Sequence, residues 1–317
     1  MKTKLTETEF KSAISRAGQL LSKLAGLGAV ILIYSSASAQ NLCVSGRDAS
    51  GGEIFKFTWD GGQSIFASGL YKPSDLAFDS AGNLFFVDYE IVGDGVGGEA
   101  AIYKITPNGT LTIFASRLSY PSDLVVEKAG NLFVADYDSG IIYKYKPNGL
   151  RATFASGLYH PGGMAFDSSG NLFVADNSVG NIYQGSIYEY KPNGSRATFA
   201  VLDPSDRPAG LAFDSMGNLF MADLGGNIYK YDPPGVLRRH PRTTFGSVPG
   251  SAESLAFDGA GNLLVVDAGG LNGTGSGIPN AIYKFTQQAT RSMFTSGQTL
   301  NETFSHVTLQ PTPVSSQ

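Results

Sequence analysis

Three histidines, one cysteine and 27 acidic residues are the chain's stock of groups for acid–base, nucleophilic or metal chemistry. The histidines are scattered. His160 precedes Pro161, His240 lies in the basic stretch Arg238–Arg242, expected as a solvated hairpin tip on the outer rim, and His306 stands near the C-terminus. None has the H-x-x-x-H spacing that sets two imidazoles on one helical face around zinc, and no G-x-S-x-G elbow, P-loop or dinucleotide fingerprint occurs. One cysteine, Cys43, makes neither a disulfide scaffold nor a multi-cysteine zinc module. The best candidates lie in a two-residue slot that recurs before a short apolar run: Ser74-Asp75, Ser122-Asp123, Gly162-Gly163, Ala209-Gly210, Glu253-Ser254 and Ser305-His306. If the six slots meet, three carboxylates, one imidazole and several hydroxyls share one place. Asp75, Asp123 and Glu253 are oxygen donors of the kind that hold Ca²⁺ or another divalent cation weakly. His306 is then a candidate base beside them. The competing reading is that all are solvated turn residues, and no motif demands a cofactor.

The slots belong to a unit repeated through most of the chain. Its fullest copy reads P-G-G-M-A-F-D-S-S-G-N-L-F-V-A-D from Pro161 to Asp176, then, after a loop, S-I-Y-E-Y-K-P-N-G-S-R-A-T-F-A from Ser186 to Ala200. The D-x-x-G-N-L core recurs at Asp79, Asp167, Asp214 and Asp258, with Glu127 in the same place in a further copy. The steps are 48, 40, 47 and 44 residues. That spread is too wide for a solenoid and right for propeller blades of four strands. In one blade, Leu76–Phe78 is a short inner strand a, and Asp79–Asn83 a turn with glycine where positive φ is needed. Leu84–Val87, apolar on both faces, is a strand b sandwiched between neighbouring blades. Ile102–Ile105 alternates as a half-buried strand c, Pro107-Asn108-Gly109 turns the chain, and Leu111–Ala115 is the outer strand d. The c-turn-d pattern returns at 142–155, 187–200, 228–245 and 282–294. A sixth copy is split: 41–44, 54–57 and 64–67 match strands b, c and d, and Phe304–Leu309 has the length and apolarity of the missing strand a. The expected fold is all-β: a six-bladed β-propeller of four-stranded antiparallel blades over residues 40–310. Its ring is closed by N- and C-terminal strands in one shared blade, and an exposed tail follows at 311–317.

Composition fits this architecture. Only 16% of residues are charged, so a disordered polyelectrolyte is excluded, and the 40 glycines are repeat punctuation. Residues 1–39 differ: five Lys/Arg, an apolar run from Leu24 to Tyr34, then Ala37-Ser38-Ala39. This is the pattern of a secretory signal cleaved near Ala39, with an uncleaved anchor as the alternative. The apolar run is too short to span a bilayer. Five basic and two acidic residues fall in 1–39, so the remainder holds 18 basic and 25 acidic residues, a net charge of −7. That argues against nucleic acid and fits an exported monomer without a membrane span.

Aspartates end strand b in five copies (Asp88, Asp136, Asp176, Asp223, Asp267), with Ser45 in the sixth. Recurrence in every blade points to a structural task, accepting N–H groups of the following loop or tethering the adjacent blade. Function is expected where copies differ. The slots enter strand a beside the central channel, and three long b–c loops (Tyr89–Ala100, Asn177–Gly185, Ala268–Asn280) share their face. They add Glu90, Asp94 and Asn272 to the candidate ligand-binding residues Ser74, Asp75, Ser122, Asp123, Glu253, Ser254 and His306.

The unit P-x-G-L-A-F-D-x-x-G-N-L-F-V-A-D … I-Y-K-Y resembles the NHL repeat and the blades of the SMP-30/gluconolactonase group, over almost all of 41–310. NHL-type lyases hold zinc through histidines directly after the slot's proline. Here Ser74, Ser122, Gly162 and Ala209 stand there, so that mechanism lacks its ligands. The gluconolactonase resemblance implies a divalent cation held by Glu, Asn and Asp, and the asparagine expected after the proline is absent. Two functions follow as expectations: a non-catalytic platform for a protein, small-molecule or carbohydrate ligand, or a metal-dependent lactone hydrolase with Asp75, Asp123 and Glu253 as ligands.

Overall fold

The computed structural model describes residues 41–48, 51–59, 62–89, 100–177, 185–233, 242–269, 280–296 and 303–311. The targeting segment read over 1–39, the long-loop candidates Glu90, Asp94 and Asn272, and His240 lie outside these residues. Among the described residues no helix is long and apolar enough to cross a membrane.

The chain forms six four-stranded antiparallel sheets. Blade I contains β1 (Leu42–Asp48), β2 (Gly51–Phe57) and β3 (Gln63–Leu70). Blade II is β4 (Ser74–Phe78), β5 (Leu84–Tyr89), β6 (Ala100–Ile105) and β7 (Leu111–Leu118). Blade III is β8 (Pro121–Val126), β9 (Leu132–Asp136), β10 (Ile141–Tyr145) and β11 (Arg151–Ala155). Blade IV is β12 (Pro161–Phe166), β13 (Leu172–Asp176), β14 (Ser186–Tyr190) and β15 (Arg196–Val201). Blade V is β16 (Pro208–Phe213), β17 (Leu219–Asp223), β18 (Asn227–Tyr231) and β19 (Arg242–Ser247). Blade VI is β20 (Ala252–Phe257), β21 (Leu263–Asp267), β22 (Ala281–Phe285) and β23 (Arg291–Ser296). The last strand, β24 (Thr303–Leu309), is the inner strand of blade I. It pairs antiparallel with β1, Leu42 opposite Leu309 and Ser45 opposite His306. Gln310 N–H donates to Asn41 O at 2.9 Å and extends the seam.

Burial follows strand position as the pattern requires. The second strands β9, β13, β17 and β21 are buried at every residue, because a blade covers each face. One phenylalanine in this strand commonly bridges two blades. Phe133 packs edge-on against Phe154 of its own blade at 5.0 Å and Phe166 of the next at 5.1 Å, and Phe173 repeats this with Phe199 and Phe213 at 5.1 and 4.9 Å. In blade I the same position is Cys43, fully buried among Ile54, Leu76 and Phe86. Burial pushes its thiol up to about 12, so it is a packing group rather than a nucleophile.

The turns are built as read. In blade II, Asp79 Oδ1 accepts the Ala81 and Asn83 N–H groups, Asn83 Nδ2 donates to Asp79 Oδ2, and Gly82 takes φ 81°. Two expectations need correction. The a strands begin earlier than the apolar run suggests, so Ser74 and Asp75 lie inside β4 rather than in a connection. Arg242, read as part of a solvated basic hairpin tip, opens β19; its guanidinium lies 4.0 Å over the Tyr229 ring and bridges Asp203 and Asp206.

Candidate functional site

All six inner strands carry the same defect. The pairing of strands a and b shifts register between Ser74 and Leu76, Pro121 and Asp123, Pro161 and Met164, Pro208 and Leu211, Ala252 and Ser254, and in blade I opposite Ser45 and Gly46. A bulge leaves a residue out of the ladder and re-aims its side chain. Here it leaves Asp75, Ser122, Glu253 and Ser305 out of the ladder, and both slot residues in blades IV and V, whereas Asp123 and His306 stay paired. Asp75 shows the strain, with φ 31° in a residue that has a Cβ. In blades IV and V the slot holds glycine because the backbones touch. A Cβ on Gly163 would stand 2.2 Å from Ala209 O, and one on Gly210 2.9 Å from Glu253 O. Ionisable groups therefore gather on the other half of the ring: Glu253, His306, Asp75 and Asp123 come from four consecutive inner strands, β20, β24, β4 and β8.

Three of them converge. His306 Nε2 lies 2.5 Å from Asp75 Oδ1. Ligand-capable atoms of Asp75, Asp123 and His306 all lie within 4.8 Å of one another, and Glu253 is not in this group. The trio brought together is thus not the all-carboxylate set Asp75, Asp123 and Glu253 expected from sequence. Asp123 is engaged on both oxygens: Oδ1 accepts the Leu124 N–H at 2.7 Å and Oδ2 the Met164 N–H at 2.5 Å. Ser122 Oγ donates to Pro161 O at 2.6 Å, and Ser254 Oγ accepts the Val307 N–H at 3.3 Å, so both hydroxyls tie neighbouring blades. Ser74 Oγ and His306 Nδ1 are buried with no hydrogen-bond partner among the described residues. Asp123, Ser254 and His306 border a cavity of about 340 Å³ lined by all six inner strands, with Leu76, Val126, Phe166 and Leu211 in its walls.

The electrostatics follow from crowding. Burial opposes charge on His306, but the Asp75 carboxylate beside it, then Asp123 and Glu253, outweigh burial and raise it to about 9. Burial, then the Asp75 charge, raises Asp123 to about 8 against the pull of His306 and its two N–H donors. Glu253 is raised chiefly by burial. Burial thus disfavours charge on His306, Asp123 and Glu253 alike, while the imidazole and the carboxyl groups favour charge on one another.

The recurrent aspartates have a structural task, in a form the sequence did not specify. They mainly hold the connection entering strand a of their own blade. Asp88 accepts the Tyr71 and Lys72 N–H groups, Asp136 those of Ser119 and Tyr120, Asp176 those of Tyr159 and His160, Asp223 that of Arg207, and Asp267 that of Gly250. In blade I, Ser45 Oγ accepts the His306 N–H at 3.1 Å.

These clamps present side chains that the slot reading missed. In blades II to IV the clamped connections and the residues ending or following the second strand carry aromatic rings. Tyr89 and Tyr120 have centroids 6.0 Å apart, Tyr120 and Tyr137 5.8 Å, Tyr137 and His160 4.1 Å, and His160 and Tyr159 4.4 Å. Aligning the position after each strand-b aspartate gives Tyr89, Tyr137, Asn177, Leu224 and Ala268. That alignment carried the signal.

No protein-family model matches the chain, and no curated protein is similar to it in sequence. Solved structures are similar in fold. A chain of a nidogen/laminin complex superposes with TM-score 0.67 at 18% identity, covering 86% of this chain and 98% of that one. A gluconolactonase from Xanthomonas campestris gives 0.59 at 16% identity, covering 84% and 89%. Virginiamycin B lyase from Staphylococcus aureus gives 0.54 at 14% identity, covering 79% and 83%. At these identities the likeness concerns the propeller fold.

Proposed function

We propose that this chain is an exported binding propeller that holds its ligand on the face of the mouth and its surrounding connections, without turning it over. The supporting observation is that three of the four ionisable groups, Asp75, Asp123 and His306, are held by one another or by backbone N–H groups. Asp123 accepts a backbone N–H on each oxygen, and Asp75 faces the His306 imidazolium at 2.5 Å. A general base or nucleophile needs a lone pair aimed at substrate, and these contacts orient the groups toward the protein. His306, raised to about 9, has a proton rather than a lone pair at Nε2 near neutral pH. Side chains on the surrounding face differ from blade to blade, as a binding surface on a repeated scaffold requires. The test is hydrolysis of glucono-δ-lactone with Ca²⁺, Mn²⁺, Zn²⁺ or a chelator. A binding propeller leaves the spontaneous rate unchanged. A metal-dependent rate that vanishes with chelator and with Asp75→Asn overturns the reading.

The convergence of Asp75, Asp123 and His306 favours one second reading, a metal-dependent lactonase. Two carboxylates and an imidazole suit a cation that accepts nitrogen, such as Zn²⁺, better than Ca²⁺ with its six to eight oxygens. Such an ion would polarise a carbonyl oxygen. Under this reading His306 must release its proton and Asp75 must leave the pair, and Glu253 serves only as a nearby charge.

A further inference from the structure

The aromatic row is independent of the charge cluster. Tyr120 and Tyr159 are 46% and 42% exposed, although each sits on a connection whose backbone is fixed by a buried aspartate. Tyr89 lies across the boundary of blades II and III, its hydroxyl donating to Pro121 O at 3.2 Å. Tyr137 stacks on His160 with only 10° between ring planes, which fixes both. These rings lose little freedom when a ligand arrives, the condition under which exposed aromatic area contributes most to affinity. In blade V the connection carries Asp206 and Arg207 and in blade VI Gly250 and Ser251, with Leu224 and Ala268 after the second strands, so the row is confined to one arc.

We propose that the arc Tyr89, Tyr120, Tyr137, His160 and Tyr159 is a subsite for a neutral carbohydrate chain. This rests on the binding reading and names its ligand class. The rings form a row rather than a cage around one point, so they suit a chain laid along them. A pyranose offers C–H faces that lie on aromatic rings and equatorial hydroxyls that bond to the phenol groups and to nearby Asp138. A cationic ligand fits less well, because Lys72 Nζ already lies 5.4 Å over the Tyr89 ring. A phosphate-bearing ligand meets Asp138 and the carboxylates of the mouth, and the whole chain is net negative.

Affinity electrophoresis of the full-length protein through gels containing soluble laminarin, xylan, galactomannan or hydroxyethylcellulose tests this. Retardation by at least one polysaccharide is expected. Tyr120→Ala and Tyr159→Ala should each weaken it by roughly tenfold, the value of about one aromatic contact. Tyr120→Phe should keep most of it, and Met293→Ala on the outer rim should leave it unchanged. Thermal scans confirm that each variant folds, and Tyr159→Ala carries the test if Tyr120→Ala does not. No retardation by any of the four, or retardation indifferent to both alanine variants, overturns the proposal. So does Tyr120-dependent retention by oligo(dT) in place of the polysaccharides. Absent retardation together with absent lactone hydrolysis removes the carbohydrate and leaves the binding reading standing. Metal-dependent hydrolysis removes the binding reading whatever the gels show.

Discussion

Replacing Asp136 with alanine tests whether the strand-b aspartates hold the ring's connections. The residue is 1% exposed and accepts the Ser119 and Tyr120 N–H groups at 3.0 and 3.2 Å. Alanine leaves these two N–H donors, and the longer one from Ser139 at 3.4 Å, without this acceptor, each costing about 1–3 kcal/mol when kept from water. Tyr120 is half exposed, so water repairs part of this, and a net loss of about 3 kcal/mol follows. For a domain of this size that corresponds to a fall of roughly 6 °C in Tm, at about 2 °C per kcal/mol. Asp136→Asn keeps one acceptor oxygen and should lose about half as much. Urea unfolding read by fluorescence gives the comparison, because the only tryptophan, Trp59, packs on Phe294 at 5.3 Å in a different part of the ring. If the ring is one cooperative unit, the midpoint at Trp59 moves with that of the far-UV signal. A loss below about 0.5 kcal/mol, within the range of ordinary surface changes, would refute the clamp.

Three further outcomes follow from the same geometry. Gly163→Ala puts a methyl 2.2 Å from a backbone oxygen that cannot turn aside; overpacking there should cost at least about 2 kcal/mol in urea unfolding. Raising pH should weaken the fold between about 6.5 and 9. His306 titrates near 9 in the fold against 6.5 unfolded, so its contribution is whole below pH 6.5 and lost as pH climbs through 9. Asp123, raised from 3.8 to about 8, has the same sign over a lower window, its contribution lost as pH climbs from 3.8 through 8; His306→Gln should flatten the part of the decline in urea midpoint that lies between about 6.5 and 9. Cys43 should resist alkylation by iodoacetamide in the native protein and react only as fast as the ring opens, since its thiol is buried and pushed up to about 12; fast native labelling would contradict its place between blades.

The fold was legible because its signals are local. Each D-x-x-G-N turn satisfies its own backbone within five residues, and each apolar strand b announces burial on both faces. Even the split blade could be read, since the N-terminal copy lacks an inner strand and Phe304–Leu309 has the right character to supply it. The site was legible only as a set of positions. That Asp75 meets His306, from opposite ends of the chain, depends on the ring closing in one register, with His306 paired to Ser45 and Asp75 left out of its ladder by a bulge. Glu253 has the right slot and the right chemistry, yet the three converging groups exclude it. The slot reading passed over the aromatic row for a different reason: tyrosine beside proline in a connection reads as ordinary loop composition until its neighbours in space are known.

The seam between β24 and β1 sets the order of events during synthesis. The inner partner of β1 is β24, the last in chain order of the described strands. Until it emerges, β1 has no inner neighbour and the inner strands of blades II and VI face a gap, so a nascent chain can stack blades but cannot complete the ring. Joining ends some 260 residues apart costs loop entropy that rises only slowly with length, whereas the neighbouring blades gain their covering faces all at once. Closure of the ring therefore waits for β24. A chain cut short anywhere before Thr303 carries an open blade that marks it as unfinished.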